Sequence, residues 1–159
     1  MSEILLTSIT TPIGPFSLAV ESGVVIESTF GSTRSLRSKG RKVNFIPGVS
    51  IAIRRYFSGD LSALDSIPVD PRSNGFRSKV LKEMRKIKPS KTLSYQSLAS
   101  RAGSPRASRA VGSACATNPI PLIIPCHRVV PSQGGIGNYG YGSDKKEWLL
   151  EFEGAISSS

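Results

Sequence analysis

The stretch PCHRVV, residues 125 to 130, sets one of two cysteines beside the only histidine of the chain. A thiol attacks as its thiolate, and an imidazole within reach can remove the proton directly or through water. Adjacency alone does not establish that reach, because neighbours on a strand point to opposite faces. Cys126 is therefore either a nucleophile activated by His127 or a buried thiol. Three features favour the first reading. Pro125 and Pro131 bracket CHRVV and restrict its motion. Basic stretches upstream supply positive potential, which favours a thiolate. The following GGIGNYGYG contains five glycines in nine residues, which fits a loop that opens or approaches a ligand closely, and equally a flexible turn.

Two cysteines are too few for a disulfide scaffold, and a reducing compartment would keep both as thiols. Cys115, Cys126 and His127 offer at most three ligands without a CxxC pair, so neither a metal nor any other cofactor is expected. With no run of about 20 apolar residues and no charged leader, the expectation is no membrane and a cytoplasmic protein, or a nuclear one if the source is eukaryotic.

The formal charge of +10 is uneven. Residues 1 to 70 hold 7 basic and 6 acidic side chains; residues 71 to 159 hold 14 and 5. Within 72 to 109, eleven Arg or Lys face the single acid Glu83. Such a field draws polyanions, which makes nucleic acid the leading partner and a solubilising surface the plain alternative. A cysteine protease has no use for this charge. A pure DNA-binding module has none for the Cys-His pair.

The elements that must position the pair fall into two domains, 1 to 70 and 71 to 159. LLTSITT, FSLAV and VVIEST read as strands of a small antiparallel sheet. STRSLRSKGRK reads as a loop, VSIAIRRYF as a helix ended by Ser58-Gly59, and SALDSIPVD as a linker or edge strand. This α/β domain, with neither Cys nor His, has a supporting role. The second domain reads as mainly helical. Phe76, Val80, Met84 and Ile87 form one stripe. SYQSLASRAG gives a short helix with Ser94 as cap and Gly103 at its end. SPRASRAVGSACA gives another, with Ser104 as cap, Pro105 at the first helical position, Arg106 and Arg109 on it, and Ala107, Ala110, Val111 and Ala114 as its small-residue face. The two helices form either a helix-turn-helix or an ordinary pair. SDKKEWLLEFEG is a last helix, with Ser143 as cap and Trp148, Leu149 and Phe152 inward. The terminal AISSS is expected to fray.

Six segments then carry a resemblance. SYQSLA at 94 to 99, ASRAVG at 107 to 112, NPIPLI at 118 to 123, IPCHRVV at 124 to 130, GGIGNYG at 134 to 140 and KEWLLEFEG at 146 to 154 resemble the O6-alkylguanine-DNA alkyltransferases. The resemblance implies a ribonuclease H-like N-terminal domain and a helix-turn-helix in the second. Cys126 would accept the alkyl group irreversibly, once per molecule, from O6-alkylguanine, or O4-alkylthymine, in double-stranded DNA. His127 would act as its base through water, Glu153 would orient the imidazole, and Asn118 would brace the loop. Tyr95 would donate towards N3 of the base, and Tyr95, Cys126, Val129, Tyr139 and Gly140 would form the guanine pocket. Arg109 would fill the space left by the rotated-out base, approaching through the minor groove. Ser94, Gln96, Ser104, Arg106, Ala107 and Ser108 would complete the DNA-facing side of a monomer. Tyr141 stands where some members have glycine and would narrow the pocket. Cys115 would be small packing. A non-catalytic damage-binding module is the alternative function, and the presence of Cys126 argues against it.

Overall fold

The hairpin that joins two of the opening strands explains itself in the dihedrals of its turn. Ser22 and Gly23 both adopt positive φ, 52° and 80°, as a two-residue turn matched to strand twist requires. In a computed structural model that describes residues 2–157, β1 (Ile4–Thr11), β2 (Gly14–Glu21) and β3 (Val24–Phe30) pair antiparallel in sequence. The sheet is mixed rather than purely antiparallel, because the short β4 (Arg41–Lys42) adds parallel to β1 and gives the order β3-β2-β1-β4. The segment read as a loop thus supplies an edge strand and, before it, a 3-10 turn at Thr33–Ser35. Both were invisible to periodicity because two exposed residues carry no alternation.

Helix α1 (Pro47–Phe57) buries Val49, Ala52, Ile53 and Tyr56 and leaves Ile51 43% exposed. Proline at its first position removes a donor that would have had no partner, and Ser58 closes it. Val69 later bridges Val25, so the stretch after α1 ends as a one-residue edge of the sheet.

The chain divides into two compact units, Met1–Arg72 and Ser73–Ser159. The second contains α2 (Gly75–Arg85), α3 (Tyr95–Arg101), α4 (Ser108–Ala116) and α5 (Ser143–Phe152), with a parallel two-stranded ladder of β5 (Leu93–Ser94) and β6 (Val129–Val130). Val80, Met84 and Ile87 are buried along the expected stripe. Among the described residues no helix is long and apolar enough to cross a membrane.

Several local expectations are corrected. Helix α4 starts at Ser108, not at Pro105: the Ala107 N–H donates to the Ser104 carbonyl at 2.9 Å, closing a turn around Pro105 and Arg106. Pro105 is fixed at the φ that such a turn needs at its second position, so it serves the turn and leaves Arg106 off the helix. Ala110 is exposed, and Val111 and Ala114 alone are fully buried on α4. On α5, Gly142 rather than Ser143 precedes the first turn. Trp148 and Phe152 are only half-buried and stack on each other at 4.7 Å, while Leu149 and Leu150 fill the core. Ala155 is tied back by its N–H to the Leu150 carbonyl at 2.8 Å, so it does not fray; Ser158 and Ser159 lie outside the described residues.

Candidate active site

Cys126 opens a 3-10 turn, Cys126–Arg128, at the end of the buried run Ile120–Ile124. The approach to it is strained. Leu122 holds φ at 74°, a left-handed conformation that costs a leucine roughly 1–2 kcal/mol. Two bonds of Asn118 hold the segment in place: its amide nitrogen donates to the Ile124 carbonyl at 2.8 Å, and its side-chain oxygen accepts from the Ile120 N–H at 3.0 Å.

The Cys126 residue is 4% exposed and borders a cavity of about 240 Å³, together with Tyr95, Gly112, Cys115, Tyr139 and Gly140. Burial pushes its thiol up, while the neighbouring Asn118 and Tyr139 side chains and the Lys146 ammonium pull it down; the net direction is up. The expected positive potential therefore does not leave a resting thiolate. The cations of 72 to 109 lie mostly on exposed surfaces, and removal of water from the sulfur outweighs them. A base is required.

The one histidine of the chain is the next residue, and Glu153 is its partner. His127 Nε2 lies 3.0 Å from Glu153 Oε2, and both side chains are fully buried. Arg128 grips the same carboxylate with two parallel bonds, Nε to Oε1 at 2.8 Å and Nη2 to Oε2 at 2.8 Å, and its Nη1 donates to the Ile87 carbonyl at 2.6 Å. Burial alone would raise the Glu153 carboxyl, but the Arg128 fork and the imidazole outweigh it and hold the group well below the usual carboxylate range. An ionised carboxylate can only accept, so Nε2 carries the ring hydrogen and Nδ1 presents a lone pair. That Nδ1 atom is buried and has no hydrogen-bond partner.

Residues 75–155 match the model of the 6-O-methylguanine DNA methyltransferase, DNA binding domain. A methylated-DNA–protein-cysteine methyltransferase of Metallosphaera sedula is 36% identical over 146 residues, 92% of this chain and 90% of the relative. The chain belongs to the 6-O-methylguanine DNA methyltransferase family. The protein of the same name from Shigella flexneri is 41% identical over 109 residues, 69% of this chain and 64% of its own length. The chain thus spans less than two thirds of that relative. The crystal structure of Mycobacterium tuberculosis OGT in complex with DNA is 33% identical with a TM-score of 0.83, covering 95% of this chain and 93% of the other.

In this member of the 6-O-methylguanine DNA methyltransferase family, a second cavity of about 410 Å³ shares Tyr95, Gly112 and Asn138 with the first and is also bordered by Ser108, Arg109 and Gly137. Arg109 is exposed at the start of α4. Ser94 caps α3, accepting from the Ser97 N–H, and Gln96 is exposed on it. Ser104, Arg106 and Ala107 lie in the turn between α3 and α4 and border neither cavity. Val129 is buried and borders neither; its N–H donates to the Cys126 carbonyl and its own carbonyl accepts from Lys146 at 2.8 Å. The ring of Tyr141 packs edge-on against Tyr139, at 5.5 Å, so it shapes the smaller cavity through Tyr139 rather than by bordering it. Burial, with the neighbouring Cys126, pushes the Cys115 thiol up to about 12, which leaves it protonated.

Two residues escaped the sequence reading. Arg128 was only a flanking cation, although it supplies most of the grip on Glu153. Lys146 belongs to the last helix with no role assigned to it, yet it is 1% exposed, with Nζ bonded to the carbonyls of Val129 at 2.8 Å and Asn138 at 3.2 Å. A signal existed for it. Lys146, Leu149, Leu150 and Glu153 recur at i, i+3, i+4 and i+7 and share the buried face of α5.

The titration of this cluster gives a stability prediction. Burial lowers His127 below its ordinary 6.5, with Glu153 opposing and Arg128 assisting, so the folded protein binds this proton less readily than the unfolded chain. Stability should fall as pH drops through 6.5, by up to about 1.4 kcal/mol per pH unit. The depressed Glu153 adds a second loss as pH falls below its ordinary 4.5. Urea midpoints measured against pH should show both limbs, and His127→Gln should flatten the first.

Proposed function

We propose that the protein repairs DNA by moving an alkyl group from O6 of guanine to Sγ of Cys126, once and irreversibly. The observation that carries this reading is the pairing of a cavity-lining thiol with a buried, neutral imidazole whose free Nδ1 is set by the Glu153–Arg128 pair. His127 Nδ1 takes the thiol proton through a water, and the thiolate displaces the alkyl carbon in line. The S–C bond forms as the C–O6 bond breaks, and the electron pair leaves on the guanine. The product is a thioether plus guanine, and no second thiol in the cavity is ionised to reverse it.

Tyr95, half-buried at the cavity, donates its hydroxyl towards N3 of the leaving base and stabilises the developing charge. Burial raises its pKa, which keeps it a donor. Tyr95→Phe should slow transfer by about 2–4 kcal/mol, roughly 30- to 1000-fold, in single-turnover rates at saturating duplex. A change under threefold would remove Tyr95 from this role. Backbone groups of Cys126 and Val129 read the guanine edge, and the Gly140 amide lies near O6.

Duplex DNA is the proposed partner, reached through the minor groove with α3 and α4 as a helix-turn-helix and Arg109 entering the stack as the base rotates out. Ser94, Gln96, Ser104, Arg106, Ala107 and Ser108 face the phosphates. Residues 71 to 159 form the domain that binds and reacts, and 1 to 70 a ribonuclease H-like supporting domain in a monomer. Mass spectrometry of the intact protein after mixing with O6-methylguanine duplex tests the whole reading. Gain of one methyl group, mapped to Cys126, is expected; unchanged mass with the lesion still in the DNA defeats it and leaves a damage-binding module.

A further inference from the structure

Residues 28 to 59 contain seven Arg or Lys and no acid, all inside the unit Met1–Arg72. Five of them, Arg34, Arg37, Lys39, Arg41 and Lys42, fall within nine residues, and all five are exposed. A run of like charges ordinarily repels itself into a disordered tail. This one is held in shape. Leu36 is buried against Leu6, Ala19 and Ile26. The Glu27 carboxylate accepts from the Arg37 N–H at 2.7 Å, the Ser38 N–H at 2.8 Å and the Ser38 hydroxyl at 2.6 Å. The nearest acid is thus turned to the backbone of the loop and leaves its guanidinium and ammonium groups to solvent. Gly40 passes so close to Ile4 that a Cβ would lie 2.3 Å from its carbonyl oxygen, and the Val43 N–H bonds the Leu6 carbonyl at 2.8 Å. Only Arg41 of the five meets a carboxylate among the described ion pairs, Glu3 at 2.5 Å.

Charge on an edge strand also prevents unwanted strand pairing, and Arg41 and Lys42 on β4 serve that end. Arg34, Arg37 and Lys39 precede the strand and are not needed for it. From this arrangement we infer that the 34–42 loop is a second nucleic-acid contact, binding the phosphate backbone through residues of the unit that does not carry Cys126. Rows of point charges on an ordered backbone neutralise phosphates without reading bases, so the contact is indifferent to sequence and steeply salt-dependent. The inference rests on the reading of the protein as one that works on DNA, but not on the transfer step.

The test compares the full chain with its Arg34→Gln, Arg37→Gln, Lys39→Gln, Lys42→Gln variant, sparing the paired Arg41. Affinity for an undamaged duplex is measured from about 50 to 300 mM salt. The slope of log affinity against log salt should flatten by about 2–3, at roughly 0.9 for each phosphate no longer neutralised. Melting temperature and the rate of transfer from a free O6-alkylguanine base, which has no phosphates, should not change. A slope within about 0.5 of wild type overturns the inference. So does a variant that loses only binding to anionic lipid vesicles. Failure of wild type to gain alkyl mass would sink the transfer reading instead, and the slope comparison would still report on this loop.

Discussion

Cys126→Ser should abolish alkyl transfer while leaving lesion binding and folding intact. Serine is nearly the same size, so the cavity keeps its walls. The chemistry does not survive. A buried hydroxyl is far harder to ionise than a thiol, and oxygen is the poorer nucleophile towards saturated carbon. The sulfur already needs His127 because burial pushes its pKa up, and no base of that strength can produce an alkoxide in the same place. Intact mass should stay unchanged over times in which wild type reacts completely, while the variant still retards O6-methylguanine duplex. Residual transfer at even a hundredth of the wild-type rate would show that another group is the acceptor.

Arg128→Met should have the largest effect on stability, about 3–5 kcal/mol, because it leaves the Glu153 carboxylate buried without its countercharge. The Ile87 carbonyl would lose its partner as well. Without the guanidinium the carboxyl should move back up, protonate more readily and bind His127 less firmly. Urea unfolding should show the loss at pH 7. Adding Glu153→Gln to the variant should recover part of it, since removing both charges costs less than stranding one. If Arg128→Met alone unfolded within about 1 kcal/mol of wild type, the buried network would not be the strut described here.

The amino-acid sequence by itself determined most of the local elements. Short runs of β-branched and apolar residues on either side of Ser22-Gly23 specify the β2–β3 hairpin, and the Val80, Met84, Ile87 stripe specifies α2, because these signals depend on neighbours a few residues away. It also singled out Cys126 and His127, as the only such pair in the chain. What it left to the tertiary structure was everything that depends on partners distant in sequence. The parallel addition of β4 to β1 and the Arg128 fork on Glu153, 25 residues away, obey no local period. Whether a cation is a solvated surface group or a strut inside the core depends on water being excluded around it. Only the packed helices decide that, and the same exclusion makes the Cys126 sulfur a thiol that needs a base rather than a resting thiolate.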